Sequence, residues 1–172
     1  MPIKGLFKSL FSGISKMEVL AEIKQAVMGL LSRREYSRCE IERKYLSKFD
    51  ANALSEVLDQ CEEMGYQSDQ RCAESLVRNK ISQGYGLLKI LQEGRRKGLA
   101  EVHINAALTE ANPDWFAIAT ELYQRKFAKE PEQPDRKAYE KRMRYITSRG
   151  FSFDQAKAAH EYHLESIKNY SN

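Results

Sequence analysis

Along most of the chain the apolar residues recur at intervals of three and four, not two. Leu20, Ile23, Val27, Leu30 and Leu31 form one stripe, and Leu54, Val57, Leu58, Cys61 and Met64 form another. That is the period of an amphipathic helix. No sustained alternation and no Asn-Gly hairpin signal interrupts the pattern. Proline occurs only at positions 2, 113, 131 and 134, so residues 3–112 can run as helices. The pattern predicts an all-α fold.

Breakers and caps divide the helices. Ser37 with Glu40 three residues on is a capping-box pattern, which predicts a helix over roughly 38–48. Asp50 is placed to cap the next helix, which Gly65 ends. Ser68 or Asp69 opens another that closes near Gly84, and Leu87 to Lys97 follows and stops at Gly98. Pro113 stands where a first-turn proline belongs, with Asn112 as the cap. Glu130 to Asp135 reads as a linker-like loop.

The chain also resembles itself. With Phe49, Leu99 and Phe151 superposed, offsets of 50 and 52 residues, Ile41, Leu91 and Met143 stand eight residues earlier. Leu54, Ile104 and Ala156 stand five later, and Val57, Ala107 and Ala159 eight later. Lys97-Gly98 and Arg149-Gly150 precede the aligned residue in the last two copies. Each copy reads as long helix, loop, shorter helix, tight turn, third helix. The expected organisation is an N-terminal extension (1–18) and three three-helix repeats over 19–66, 67–112 and 113–172. Units this small bury little surface alone and gain stability by stacking. With helices of roughly 18 Å, three in a row predict a curved rod on the order of 60 Å.

Charge follows the same period. The whole chain carries 28 Lys+Arg against 24 Asp+Glu, a mild +4. By segment the balance is sharper: residues 19–49 are +3, 50–64 are −5, 70–98 are +5, 99–114 are −3, 112–150 are +3 and 152–165 are −2. The first two helices of each copy are basic and the third is acidic. Solvated helix faces with i,i+4 pairs such as Glu40 with Lys44 account for any one run. Repeated in register, the pattern predicts a basic face opposite an acidic one, suited to a polyanionic or acidic extended partner, nucleic acid first.

Reactive chemistry is sparse. Cys39, Cys61 and Cys72 contain no C-x-x-C pair, which argues for buried free thiols in a reducing cytosol over a disulfide framework or zinc ribbon. His160-Glu161-Tyr162-His163 lacks the spacing of a zincin helix, so surface or half-buried histidines are expected. Gln83-Gly84-Tyr85-Gly86 lacks the Lys-Ser/Thr of a P-loop and reads as an interhelical turn. Tyr36, Tyr45, Tyr66, Tyr85, Tyr123, Tyr139 and Tyr145 lie near bases and could stack on nucleobases, although core packing is the commoner use of such residues. No catalytic set, metal site or cofactor is expected. No window reaches 18 consecutive apolar residues and no cleavable signal is evident. Residues 1–16 do place Ile3, Leu6, Phe7, Leu10, Phe11 and Ile14 at helical spacing among lysines. Membrane-surface docking is one reading of them, and docking on the repeats or disorder is the plainer one.

Particular residues then carry a resemblance. Arg34-Glu35-Tyr36-Ser37, Glu40-Ile41 and Lys44-Tyr45-Leu46 resemble the first-repeat pattern of the RecX family of bacterial recombination regulators. Gly65-Tyr66, Asp69, Arg71, Ala73, Val77-Arg78, Gly84-Tyr85-Gly86, Ile90 and Lys97-Gly98 follow that family's order and spacing. Arg125-Lys126-Phe127 and Arg149-Gly150-Phe151 resemble its third-repeat signatures, so the similarity spans about 19–165. Cys72, Leu87 and Gly94 depart from the usual Phe, Pro and Leu. Gly94 is expected to weaken its helix by roughly 1 kcal/mol.

The resemblance implies three tandem three-helix repeats in a monomeric cytoplasmic protein that acts in DNA repair and the SOS response. It implies binding to RecA, chiefly as the filament on single-stranded DNA, inhibition of recombinase activity, weak nucleic-acid binding, and no small-molecule substrate. The basic residues of the repeats are the contact candidates: Arg33, Arg34, Arg38, Arg43, Lys44, Arg71, Arg78, Lys80, Lys89, Arg95, Arg96, Lys97, Arg125, Lys126, Lys141, Arg142, Arg144 and Arg149. The alternative is an autonomous nucleic-acid-binding helical-repeat protein. Acidic third helices argue against their entering a major groove.

Overall fold

The computed structural model describes the backbone of residues 3–129 and 135–170 and the side chains of residues 16–129 and 135–166. The apolar positions Ile3 to Ile14 and most of the 130–135 loop therefore lie outside the described side chains. Among the described residues there are nine helices and no strand: α1 (Ile3–Leu31), α2 (Arg38–Tyr45), α3 (Ala51–Glu63), α4 (Asp69–Ser82), α5 (Leu87–Lys97), α6 (Glu101–Ala111), α7 (Trp115–Phe127), α8 (Arg136–Ser148) and α9 (Phe153–Tyr170). None is long and apolar enough to cross a membrane. The chain forms two compact units, Met1–Cys72 with Lys97–Leu99, and Ala73–Arg96 with Ala100–Asn172.

In the first unit the stripes read from sequence meet. Ile23 and Val27 of α1, Ile41 of α2, and Leu54, Val57, Leu58 and Cys61 of α3 form one buried cluster, with Tyr36, Tyr45 and Phe49 packed around it. The Tyr45 hydroxyl donates to Ala26 O at 3.1 Å and ties the end of α2 to α1. Ser37 and Glu40 form the expected capping box. Asp50 caps α3 by accepting from the Asn52 and Ala53 amides, both at 3.0 Å. α2 ends at Tyr45, short of the expected 48, where the Lys48 and Phe49 amides both donate back to Tyr45 O in a turn.

In the second unit α7, α8 and α9 enclose Leu122, Tyr123, Phe127, Met143, Ile146 and Phe151. Ala156 and Ala159 sit fully buried on α9, where small side chains let α7 approach. In α4–α6 the buried residues include Val77, Ile90, Ile104 and Ala107. Here the repeat alignment slips by one residue, because Ile90 is fully buried and the aligned Leu91 only half. Gly94 has a packing reason: a Cβ there would lie 2.9 Å from Ile104 Cδ1. The isoleucine occupies the room that a larger residue at 94 would need.

One cap differs from expectation. Asn112 does not open α7; it closes α6 in the left-handed region at φ 40. Asp114 caps α7, its carboxylate accepting from the Ala117 amide at 3.0 Å. The two residues share the short polar run before Trp115, and only the backbone turn shows which end each serves. Likewise the histidines expected near the surface are buried. His160 and His163 are 8% and 6% exposed, turned inward among α7 and α8 side chains.

Candidate protein and nucleic-acid interface

The contact candidates separate by environment. Arg33, Arg34, Arg43, Lys44, Arg78, Arg95, Arg96, Arg125, Lys126, Lys141 and Arg144 are exposed. Arg38, Arg71, Lys80, Lys89, Lys97 and Arg149 are half-buried. Arg142 is fully buried and is removed from any contact face. Its Nη1 donates to Tyr123 Oη at 3.2 Å, and that hydroxyl lies 2.7 Å from His160 Nδ1. With the guanidinium donating into the tyrosine oxygen, the tyrosine proton is directed at a neutral imidazole. Burial pushes the His160 pKa down, and the charges of Arg142 and His163 push it further, against a smaller opposing effect of Glu161. Positively charged spacing on a helix face cannot reveal that one member points inward.

Several half-buried bases hold the first unit together. Arg38 donates to Glu42 at 3.0 Å, Asp59 at 2.7 Å, Glu62 at 2.9 Å and Ser55 Oγ at 2.9 Å. The acidic third helix thus serves as counter-ion to the basic second one along this edge. This corrects the expected separation of basic and acidic faces, because the first turn of α2 lies beside α3. Arg71 pairs with Glu35 at 2.9 Å and caps the end of α3 by donating to Gly65 O and Tyr66 O. Glu40 takes Lys97 at 2.8 Å and Arg34 at 3.2 Å, a choice the i,i+4 rule did not foresee. Burial raises the Glu40 pKa, but donors from Lys97, Arg34 and the Ser37 amide outweigh it and leave the carboxyl below its ordinary range. With its side chain only 12% exposed, Lys97 is an internal tie.

Tyr36, Tyr85 and Tyr145 are partnered by cations of the same chain, whereas Tyr66 is exposed. The Arg34 guanidinium lies 3.5 Å from the Tyr36 ring centre. Lys80 and Arg149 lie over Tyr85 at 4.7 and 4.9 Å. Arg149 also lies over Tyr145 at 5.3 Å, and Lys126 over that ring at 5.4 Å. Tyr123 and Tyr139 belong to the α7–α9 core and its margin. Such contacts stabilise modestly and fix the cations in place.

The thiols are structural. Cys61 and Cys72 are buried and Cys39 is half-buried. Burial raises the Cys61 pKa and pushes Cys72 up to about 11, far from the range of a reactive thiolate. Among the described residues no group of three or more His, Cys, Asp or Glu side chains is arranged to hold a metal ion.

Nine helices among the described residues, a period of about 50 residues and an array of fixed cations define an all-α helical-repeat protein. Family models for RecX match it in two places, the second three-helix domain over residues 68–108 and the third over 113–159. The regulatory protein RecX of Haemophilus influenzae strain PittEE is 36% identical over 131 residues, 75% of this chain and 86% of that protein. That of Chromohalobacter salexigens is 34% identical over 140 residues, 81% of this chain and 91% of the relative. The chain belongs to the RecX family of regulatory proteins. A crystal structure of a regulatory protein RecX matches the fold with a TM-score of 0.76 at 23% identity, covering 88% of this chain and 77% of the other. RecX from Lactobacillus salivarius matches at 0.73 and 20%, covering 86% and 97%.

Proposed function

We propose that this chain binds the recombinase RecA, chiefly as the filament assembled on single-stranded DNA, and restrains its activity in DNA repair and the SOS response. Membership of a family of regulatory proteins over three quarters of the chain carries the reading. The exposed bases of the tandem domains support it. Domains in series can touch successive subunits of a polymer, so a second contact gains from the high effective concentration set by the first. Assembled filament is then favoured over free RecA. Clamped neighbours would resist the motions of hydrolysis and strand exchange. The protein acts by binding, in the cytoplasm, as a monomer and without a cofactor.

The test is anisotropy of labelled protein against bare single-stranded DNA, free RecA and filament at two salt concentrations, with RecA ATPase titrated in parallel. The filament should bind far more tightly than either component, and hydrolysis should fall as the protein is added. Truncation after residue 111 should weaken binding by more than the third repeat's own share, because spanning of neighbouring subunits goes with it. Reversing Arg95 and Arg96 to Glu should weaken filament binding with folding intact; Lys97, being internal, is left out of that set. Tight, salt-sensitive binding to bare DNA that RecA abolishes would sink the reading and favour an autonomous nucleic-acid binder.

A further inference from the structure

In the second unit a cavity of about 490 Å³ opens between the α4–α5 turn and the end of α8. Lys80, Tyr85, Lys89, Arg96, Ser148 and Arg149 line it, together with Gln92 and Glu93. Its walls are locked by main-chain contacts. The Gly86 amide donates to Arg149 O at 2.9 Å and the Leu88 amide to Gly150 O at 3.1 Å. A Cβ on Gly86 would lie 2.7 Å from Phe151 N, and one on Gly150 2.6 Å from Lys89 N. The two backbones touch, so the residues flanking both glycines are held at fixed separation.

The charges are not balanced. Arg96 is taken by Glu93 through two hydrogen bonds at 3.0 and 2.6 Å. Lys80, Lys89 and Arg149 pair with no carboxylate among the described residues; Lys89 donates to Gln92 at 3.2 Å and Arg149 to Tyr145 Oη at 3.1 Å. The Tyr85 ring holds Lys80 and Arg149, and the Tyr145 ring, one turn back on α8, also holds Arg149. A guanidinium has five N–H donors, and among the described residues only one of those on Arg149 is engaged by an oxygen. Three cations with spare donors, pre-positioned around a polar cavity, form a receptor for a multiply charged oxyanion. Because cations already cover the tyrosine rings, the cavity recognises the charged oxygens of its ligand, not a base plane.

We infer that this cavity is a phosphate-ester site, taking the phosphates of a single-stranded nucleic acid or of a free nucleotide. Phosphate suits it better than a carboxylate-bearing peptide. Three cations converge on one cavity, and a phosphate gathers several acceptor oxygens and more charge at one point. The inference does not depend on RecA, and its test contains none, so either reading can fail without the other.

The probes are a fluorescent oligothymidylate, thymidine 3′,5′-bisphosphate, ATP and polyglutamate. The variants are Lys89→Gln/Arg149→Gln and, as an equal loss of charge on exposed sites of the same unit, Lys137→Gln/Lys157→Gln. The first should lose about tenfold or more in affinity for phosphate probes, and the second should bind as the parent does. The log–log salt slope for the oligonucleotide should shrink by about 0.7 for each phosphate that the variant no longer holds. Amide shifts in the parent protein on adding the bisphosphate should centre on residues 85–89 and 148–150, an arm that needs no variant to fold. Tighter binding of the oligonucleotide than of ATP makes the source a strand; the reverse makes it a free nucleotide. Equal losses in both variants, shifts elsewhere, or polyglutamate occupying the same amides as tightly as the phosphate probes would each overturn the proposal.

Discussion

Lys97-Gly98 and Arg149-Gly150 stand 52 residues apart at equivalent places in the repeat, yet their turns are fastened by different chemistry. At the first, side chains do the work. Ser37 Oγ donates to Lys97 O while accepting from the Glu40 amide, the Lys97 ammonium turns in to Glu40, and Gly98 packs on Cys39. At the second, main chain meets main chain through Gly86 and Gly150. That leaves the Arg149 guanidinium on Tyr85 and Tyr145 at the edge of a cavity. The same base-glycine signature therefore encodes a structural tie in one unit and an outward-presented cation in the other. The difference lies in whether a carboxylate stands within reach: Glu40 meets Lys97, and among the described residues none pairs with Arg149.

The two units can be followed separately. All three cysteines lie within Met1–Cys72, so thiol labelling reports opening of the first. The single tryptophan, Trp115, packs on the α7–α9 core and reports the second. The largest effect should come from the glycines. Gly150→Ala sets a side chain at φ 95 and drives its Cβ into Lys89 N, at a cost of about 3 kcal/mol by denaturant unfolding followed at Trp115. Lys89→Gly should not rescue it, since the amide remains. Gly98→Ala places its Cβ 2.6 Å from Cys39 Cβ. There Cys39→Gly should recover part of the loss, and a double-mutant cycle shows the coupling.

Next in size is the tie itself. Lys97→Met removes the shorter of the two ion pairs on a half-buried carboxylate, leaving it Arg34 and the Ser37 amide, and should cost the first unit about 2 kcal/mol. Arg149→Met should cost less than about 1 kcal/mol, since no ion pair is broken. Comparable losses at both sites would erase the distinction drawn between them.

Acid should unfold the two units over different ranges. The folded pKa of His160 lies below its ordinary 6.5, so the unfolded chain binds the proton first and stability falls as pH drops below that value. Arg142, His163, Glu161, Tyr123 and Tyr139 surround the ring. The Trp115 unfolding midpoint should fall between about pH 7.5 and 5.5, and His160→Gln should flatten the trend. Glu40, also held below its ordinary 4.5, contributes stability at higher pH that is lost as pH falls below that value. Opening of the first unit, read as the thiol-labelling rate relative to that of the fully unfolded chain at the same pH, should therefore rise only under more acidic conditions, and Glu40→Gln should blunt that response. The smallest effect belongs to Asp59→Asn and Glu62→Gln. These two of the partners of Arg38 are substantially exposed, 60% and 43%, and each change should cost the first unit about 0.5 kcal/mol, read from thiol labelling under denaturant.

Local signals were the legible part of this molecule. The Ser37–Glu40 capping box, the Asp50 cap, the Leu87–Lys97 helix and the left-handed glycines at 65, 84, 98 and 150 act within one turn of chain, so short windows contain their physics. The repeat was visible because Leu54, Ile104 and Ala156 occupy one buried position three times. Asn112 and Asp114 were exchanged because either residue type suits a cap, and only the path of the backbone assigns the ends.

Composition and period by themselves determined that the chain is all-α, where its helices turn, and that bases recur with the repeat. Tertiary structure alone decided which bases face outward. It buried Arg142 against Tyr123, folded Lys97 in to Glu40, set Arg38 among α3 carboxylates and left Arg149 at a cavity. Helical periodicity assigns a residue to a face, but the energy of a charge depends on partners about 20 to 60 residues away: Arg142 on Tyr123, Arg38 on Asp59, Lys97 on Glu40. Only the packed chain brings those partners within reach, and the Coulomb and desolvation energies that fix each base's role are settled at that range.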